Sequence, residues 1–356
     1  MKKLQLSLGI VLAFAANCAM AQVPGKMKET GQVLLSNGWK LSPAGRSLQL
    51  GDLPLNIQLS PSEKLLAVTN NGQSTQELQL IDPQREKLLD KIELGMAWYG
   101  LAFSNDEKHL YVSGGNENAI LDFSLKNNKL HTPDTIRLGK AWPNEKICPT
   151  GIAVTKDGSR LYTVTKENNK VYTVDLKTRK VTDTVSLPNL GYSCVLSPDE
   201  KDLYISLWGG DEVAVFNTAS QSITSKIKTG SHPNELLLNK KGTILYVANA
   251  NDNSVAVINT GTNKVIETLS TSLYPTRLTG STTNGLALSA NGKTLYIANA
   301  DNNCLAVFDV SSPGNSKSQG FIPVGWYPTS VKVTGKKILV SNGKGFTSMA
   351  HPNGPQ

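Results

Sequence analysis

The side chains best placed for chemistry in this sequence are oxygen donors. Glu235 follows Asn234, and Asn56 and Asn284 stand at comparable places in other repeat units. One carboxylate among amides is a donor type that Ca2+ accepts, although a lone carboxylate binds a hard dication weakly. A polar, hydrated channel lining would use the same residues. Tyr99, Tyr192, Trp326 and Tyr327 fall beside them, and Trp98, Trp142, Trp208 and Tyr274 lie in the same kind of loop. Such aromatics can form a recognition surface for a ligand or a protein partner, or they can wedge packed sheets apart. Other signatures are scarce. The four histidines, His109, His131, His232 and His351, form no H-E-x-x-H pair, and neither a G-x-S-x-G elbow nor a G-x-x-x-x-G-K-[ST] phosphate loop occurs. Asn249, Asn251 and Asn253 resemble half a calcium loop but lack its central Gly and closing Glu, so they read as a hairpin loop.

Residues 1–21 read as a secretory signal peptide, with Lys2 and Lys3, an apolar run from Leu8 to Ala16 and Ala19-Met20-Ala21 as the cleavage signal. The expected home is therefore the periplasm or the outside of the cell. No later run of eighteen apolar residues suggests a membrane helix. Loss of the two lysines lowers the formal charge from +8 to +6, without any Lys/Arg run that would mark a nucleic-acid partner. Maturation leaves Cys148, Cys194 and Cys304, none at zinc or haem spacing. Cys148 and Cys194 fall near the starts of neighbouring strands and are the pair that could form a disulfide.

These residues need a scaffold, and the sequence supplies one by repetition. Apolar residues make up 39%, or about 48% with glycine, enough for a globular core, and only 18% are charged. Strand-like cores recur at Leu66-Ala67-Val68, Leu110-Tyr111-Val112, Leu161-Tyr162-Thr163, Leu203-Tyr204-Ile205, Leu245-Tyr246-Val247, Leu295-Tyr296-Ile297 and Ile338-Leu339-Val340. Their spacings are 44, 51, 42, 42, 50 and 43 residues. A period in the forties with four strands per unit is the pattern of a propeller blade. In the clearest unit, alternation and Gly/Asn/Asp punctuation predict strands over 235–238, 244–248, 254–259 and 264–269.

The fold expected is all-β: residues 22–356 as a single seven-bladed propeller of four-stranded antiparallel blades. The seventh unit holds two clear strands, 330–333 and 337–341, so the amino-terminal segment 32–50 is expected to complete it. The two long spacings place extra residues near 139–148 and 270–283, in connectors on the face that carries the loops between second and third strands. Long loops on a rigid scaffold favour recognition, which makes that face the expected binding surface.

Leu245-Tyr246-Val247-Ala248-Asn249, with Asn253-Ser254-Val255-Ala256-Val257-Ile258 and Asn263-Lys264-Val265, resembles the YVTN repeat of bacterial propellers, and Leu295-Tyr296-Ile297-Ala298-Asn299 repeats it. A narrower likeness runs through Leu35-Ser36-Asn37-Gly38-Trp39-Lys40-Leu41-Ser42-Pro43-Ala44-Gly45-Arg46, Ala67-Val68-Thr69-Asn70-Asn71-Gly72, Gly325-Trp326-Tyr327-Pro328-Thr329 and Asn342-Gly343-Lys344-Gly345. These segments resemble the amino-terminal half of proteins that join a YncE-like propeller to an alkaline-phosphatase-like phosphoesterase. The 356 residues hold no counterpart of that phosphoesterase half, so no catalytic residue follows from the likeness. The resemblance implies an exported, monomeric, non-enzymatic propeller that binds a protein partner or ligand. The alternative is a metal-assisted, lactonase-like propeller hydrolase, since metal-dependent propeller lactonases use similar carboxylate and amide sets.

Overall fold

The computed structural model describes residues 25–26, 32–35, 37–274 and 279–345. The expected signal peptide therefore lies outside the described residues. No helix among them is long and apolar enough to cross a membrane. The chain is an all-β propeller of four-stranded antiparallel blades. The first blade runs Pro54–Leu59, Leu66–Asn70, Glu77–Asp82 and Lys87–Glu93, each strand pairing with the next. Four later sheets repeat this order, their inner strands being Pro149–Val154, Gly191–Leu196, Pro233–Leu238 and Thr283–Leu288. The second sheet, which opens with Leu101–Phe103, differs because both Lys129–Leu130 and Asp134–Arg137 pair with its long third strand, Ala119–Lys126. Last comes a two-stranded sheet, Pro328–Thr334 with Lys337–Asn342. Inner strands touch their neighbours all the way round, and Pro328–Thr334 meets both Thr283–Leu288 and Pro54–Leu59.

Local chemistry explains why each unit folds alike. Between first and second strands, a side-chain oxygen accepts from the backbone N–H five residues on: Ser60 from Leu65, Ser104 from His109, Thr155 from Arg160, Ser197 from Asp202, Asn239 from Ile244 and Ser289 from Thr294. Between third and fourth strands, Asp82, Asp175, Asn217, Asn259 and Asp309 accept backbone N–H bonds two or three residues on, which closes an Asx turn. Blades are then pinned together across the channel face. Ser113 Oγ donates to Pro149 O at 2.6 Å, Thr150 Oγ1 to Gly191 O at 2.7 Å and Ser206 Oγ to Asn234 O at 2.7 Å. Thr329 Oγ1 donates to Pro54 O and so joins the last sheet to the first blade.

The core lies between blades. Phe123, Leu78 and Leu110 fill the space between blades one and two, and Tyr162, Phe216 and Leu203 that between three and four. At the closing seam the cluster shrinks to Ile57, Leu66, Val68 and Ile81, with Leu50, Leu59 and Leu339 against it.

Two expectations need correction. The amino-terminal strands Gly25–Lys26, Val33–Leu34 and Lys40–Leu41 pair with one another and not with the last sheet. Residues 43–51 instead pass along its outer side: Ala44 N donates to Pro323 O and Arg46 pairs with Glu86. The second correction concerns Cys148 and Cys194, which are both free, buried thiols. Gly151 is the residue that lies against Cys194, since a Cβ on it would stand 2.7 Å from the Cys194 nitrogen. Cys148 is three residues earlier, roughly 10 Å along the strand direction, beyond disulfide reach. Cys304 is likewise free and buried.

Candidate functional site

A cavity of about 410 Å³ opens at the channel mouth, lined by Tyr99, Tyr192, Trp208, Asn234, Glu235, Asn284, Tyr327 and Lys344 among others. Its walls are ordered by the loop system expected from the spacing. Asn118, between second and third strands, donates to Lys140 O and Glu145 O, and Asn253 in the fifth blade accepts from Gly280 N and Ser281 N. Each asparagine thus fastens one of the long connectors to the same face. Asn303 does the same for the last one, accepting from Tyr327 N at 2.9 Å.

Glu235 is buried at this mouth. The Tyr99 hydroxyl donates to its Oε2, and Lys332 Nζ lies 3.2 Å from its Oε1. The carboxylate is therefore held between a phenol from the second blade and an ammonium from the last sheet. Around it runs a bent row of rings: Tyr99 and Tyr192 have centroids 4.8 Å apart, Tyr192 and Trp208 5.1 Å, and Trp208 and His232 5.1 Å. Burial holds the Tyr192 phenol well above its ordinary range, so it remains neutral. Lys344 Nζ lies 4.5 Å over the Tyr327 ring and 5.6 Å from that of Trp326, a cation–π arrangement at the rim.

The amides are committed to the frame. Asn234 Oδ1 accepts from Glu235 N, Asn234 Nδ2 donates to Asn284 Oδ1 at 2.9 Å, and Asn56 Nδ2 donates to Tyr99 O at 2.9 Å. Ca2+ needs six to eight oxygens. One carboxylate already facing an ammonium, with the Asn234 and Asn284 oxygens turned to protein donors, does not suit it. Among the described residues, no group of three or more Asp, Glu, His or Cys could hold a metal.

Of the eight residues expected at the site, Tyr99, Tyr192, Asn234, Glu235, Asn284 and Tyr327 line this cavity. Asn56 is buried beneath it, and Trp326 lines a different cavity beside the last sheet. Lys332 was not foreseen, although the signal exists: it stands two residues beyond Ser330 and so shares that residue's channel-facing side. Trp208 and Lys344 extend the set from loops.

Comparison with known proteins now bears on this site. A family model described as "Lactonase, 7-bladed beta-propeller" matches residues 192–346, and one described as "SMP-30/Gluconolactonase/LRE-like region" matches residues 36–209. Each spans less than half of the chain. A search of curated proteins found no match. Among solved structures, hydrazine synthase of Kuenenia stuttgartiensis is similar at 18% identity and a TM-score of 0.67, over 85% of this chain and 96% of that one. The WD40 repeats of RRP9 are similar at 13% identity and 0.67, over 81% and 86%. A functionally unknown protein from Desulfotomaculum acetoxidans is similar at 15% and 0.59, over 70% and 77%. These likenesses establish the propeller fold.

Proposed function

We propose that this chain is a seven-bladed propeller, with the two-stranded sheet as its seventh blade, and a hydrolase of small cyclic esters acting at the channel mouth. The observation that carries this reading is the Glu235 carboxylate, buried in the cavity between the Tyr99 hydroxyl and Lys332 Nζ. The two lactonase-type family models, which together touch residues 36–346, support it. The aromatic row offers ring faces on which a sugar-like lactone can stack.

In this reading Glu235 acts as general base. A carboxylate has about four lone-pair sites, so bonds to Tyr99 and Lys332 leave room for a water. That water adds to the lactone carbonyl carbon while its proton passes to Glu235. The Lys332 ammonium, 3.2 Å from Glu235 Oε1, fixes the carboxylate in place for that transfer. The ring C–O bond then breaks, and the proton moves from Glu235 to the departing alkoxide, leaving the hydroxy acid.

The test is proton release from a panel of five- and six-membered sugar lactones, comparing the wild-type chain with Glu235→Gln. Loss of general base catalysis lowers turnover by about two to four orders of magnitude. An inactive wild-type chain on every lactone, or an unchanged Glu235→Gln rate, refutes it. A second reading, an exported scaffold that binds a partner or ligand on this face without turnover, draws on Lys344 stacked over Tyr327 and Trp326 at the rim. Retention of a lactone by an inactive chain would support it.

A further inference from the structure

Among the described residues, the last sheet has no third strand, which every complete blade has. Lys337–Asn342 pairs with Pro328–Thr334 on one side, and no described residue pairs with its other side. A cavity of about 440 Å³ lies along that edge. Ile338, Leu339 and Val340 wall it on one side, Ile57, Leu66, Val68 and Ile81 of the first blade on another, and Leu48 and Leu50 of the passing segment close the outside. Ile338, Leu339 and Val340 are half-exposed, whereas their counterparts Leu245, Tyr246 and Val247 are fully buried. The edge therefore presents strand backbone together with apolar side chains that the other blades cover.

The complete blades specify what fits. Their third strands Lys170–Asp175, Glu212–Asn217, Ser254–Asn259 and Cys304–Asp309 carry aliphatic residues at the second position and Val, Ile or Phe at the fifth, and end in Asp or Asn. That final residue faces the first residue of the second strand: Asp175 opposes Arg160, Asn217 opposes Asp202 and Asp309 opposes Thr294. In the last sheet the corresponding position is Lys337. The charged residues along the cavity are Arg46, Lys337 and Lys344 against the single Glu86, which pairs with both Arg46 and Lys337, so the net charge there is positive.

We propose that this slot is a strand-accepting site for another protein. The occupant is an extended six-residue segment with apolar side chains at its second and fifth positions, one toward each neighbouring blade, and an acidic residue at its carboxyl end. It runs antiparallel to Lys337–Asn342, its backbone completing the ladder and its acid opposite Lys337. Side-chain pockets and backbone pairing both come from the first and last blades, so the site exists only where the ring closes.

The probe is a fluorescein-labelled peptide with the sequence of Lys170–Asp175, titrated into the full chain by fluorescence anisotropy. Saturable binding is expected, with hydrogen-exchange protection confined to Lys337–Asn342. Methylating the backbone nitrogens on the pairing side of the peptide abolishes binding, and methylating the other set leaves it. Replacing the terminal Asp of the peptide with Lys weakens it about three- to fivefold, as for a rim charge. Absence of saturable binding, insensitivity to both methylation patterns, or protection elsewhere overturns the proposal. So does an edge already protected in the unliganded chain, which would mean that the protein fills its own slot.

Discussion

Replacing Lys332 with Met tests how Glu235 is held. Both partners are mostly buried, with side-chain exposures of 16% for Lys332 and 12% for Glu235, and their charged atoms are 3.2 Å apart. At an effective dielectric near 20 the gross attraction at that distance is roughly 5 kcal/mol, and desolvation of both groups offsets much of it. Lys332→Met removes the attraction and leaves a carboxylate whose remaining fixed partner is Tyr99. Because the open cavity lets water relieve part of that charge, the expected loss is about 2–3 kcal/mol, under the roughly 3–5 kcal/mol of a fully buried broken pair. Removing the charge as well, in Lys332→Met with Glu235→Gln, should recover about half of it. The assay is urea unfolding followed by tryptophan fluorescence, with all four corners of the cycle measured. With about 1 kcal/mol lost in Glu235→Gln alone, where the amide still takes the Tyr99 hydrogen bond, the coupling between the two sites is about 2–2.5 kcal/mol. Strict additivity, or a single-variant loss below about 0.5 kcal/mol, would mean that the two groups do not pair and that the geometry assigned to the carboxylate is wrong.

Gly151→Ala places a methyl 2.7 Å from Cys194 N and 2.8 Å from Ser193 Cα, so the inner strands of blades three and four must part; a loss of about 1–3 kcal/mol is expected in the same urea assay. Gly158→Ala, at a φ of +68° with open space around it, should cost only about 1 kcal/mol, from backbone strain alone. Burial raises the Cys148 thiol to about 11 and pushes Cys194 higher still, so neither should react with an aromatic disulfide reagent at pH 8 until urea is added. Hydrogen bonds from Arg46 and then Lys337 hold Glu86 at about 2, below its ordinary 4.5. Its contribution to stability is therefore complete above about 4.5 and lost as pH falls toward 2, so the urea midpoints of wild type and Glu86→Gln should converge across that window.

Much of the architecture was legible because each blade repeats its own punctuation. The strands expected at 244–248 and 254–259 appear as Ile244–Asn249 and Ser254–Asn259, since alternation and the Asn259 turn act locally. The cavity residues are legible for the same reason: the repeat puts Tyr99, Asn234 and Asn284 at one level of the inner strands and Glu235, with Asn56, at the position beside it. Lys332 is not legible in this way, because it lies two residues beyond Ser330 and its partner is 97 residues away. The Cys148–Cys194 expectation failed because adjacency of blades says nothing about height along the strand. Residues 43–51 carry a strand-like pattern, but their partners at Pro323 and Glu86 lie in the outer parts of two blades, a long-range geometry that no local signal encodes.

The ring is fastened at one seam, and its bonds span the chain almost end to end. Thr329 to Pro54, Thr334 to Glu63 and Gln84 to Thr334 join residues separated by 275, 271 and 250 positions. Every other blade interface joins units adjacent in sequence. During synthesis, then, the first blade must wait with one flank bare until residues 328–342 have left the ribosome, and closure of so long a loop carries a large entropic cost. A circular permutant with its ends moved to a turn such as 260–263 would shift that wait to another interface and change when the molecule becomes whole, with its finished shape preserved.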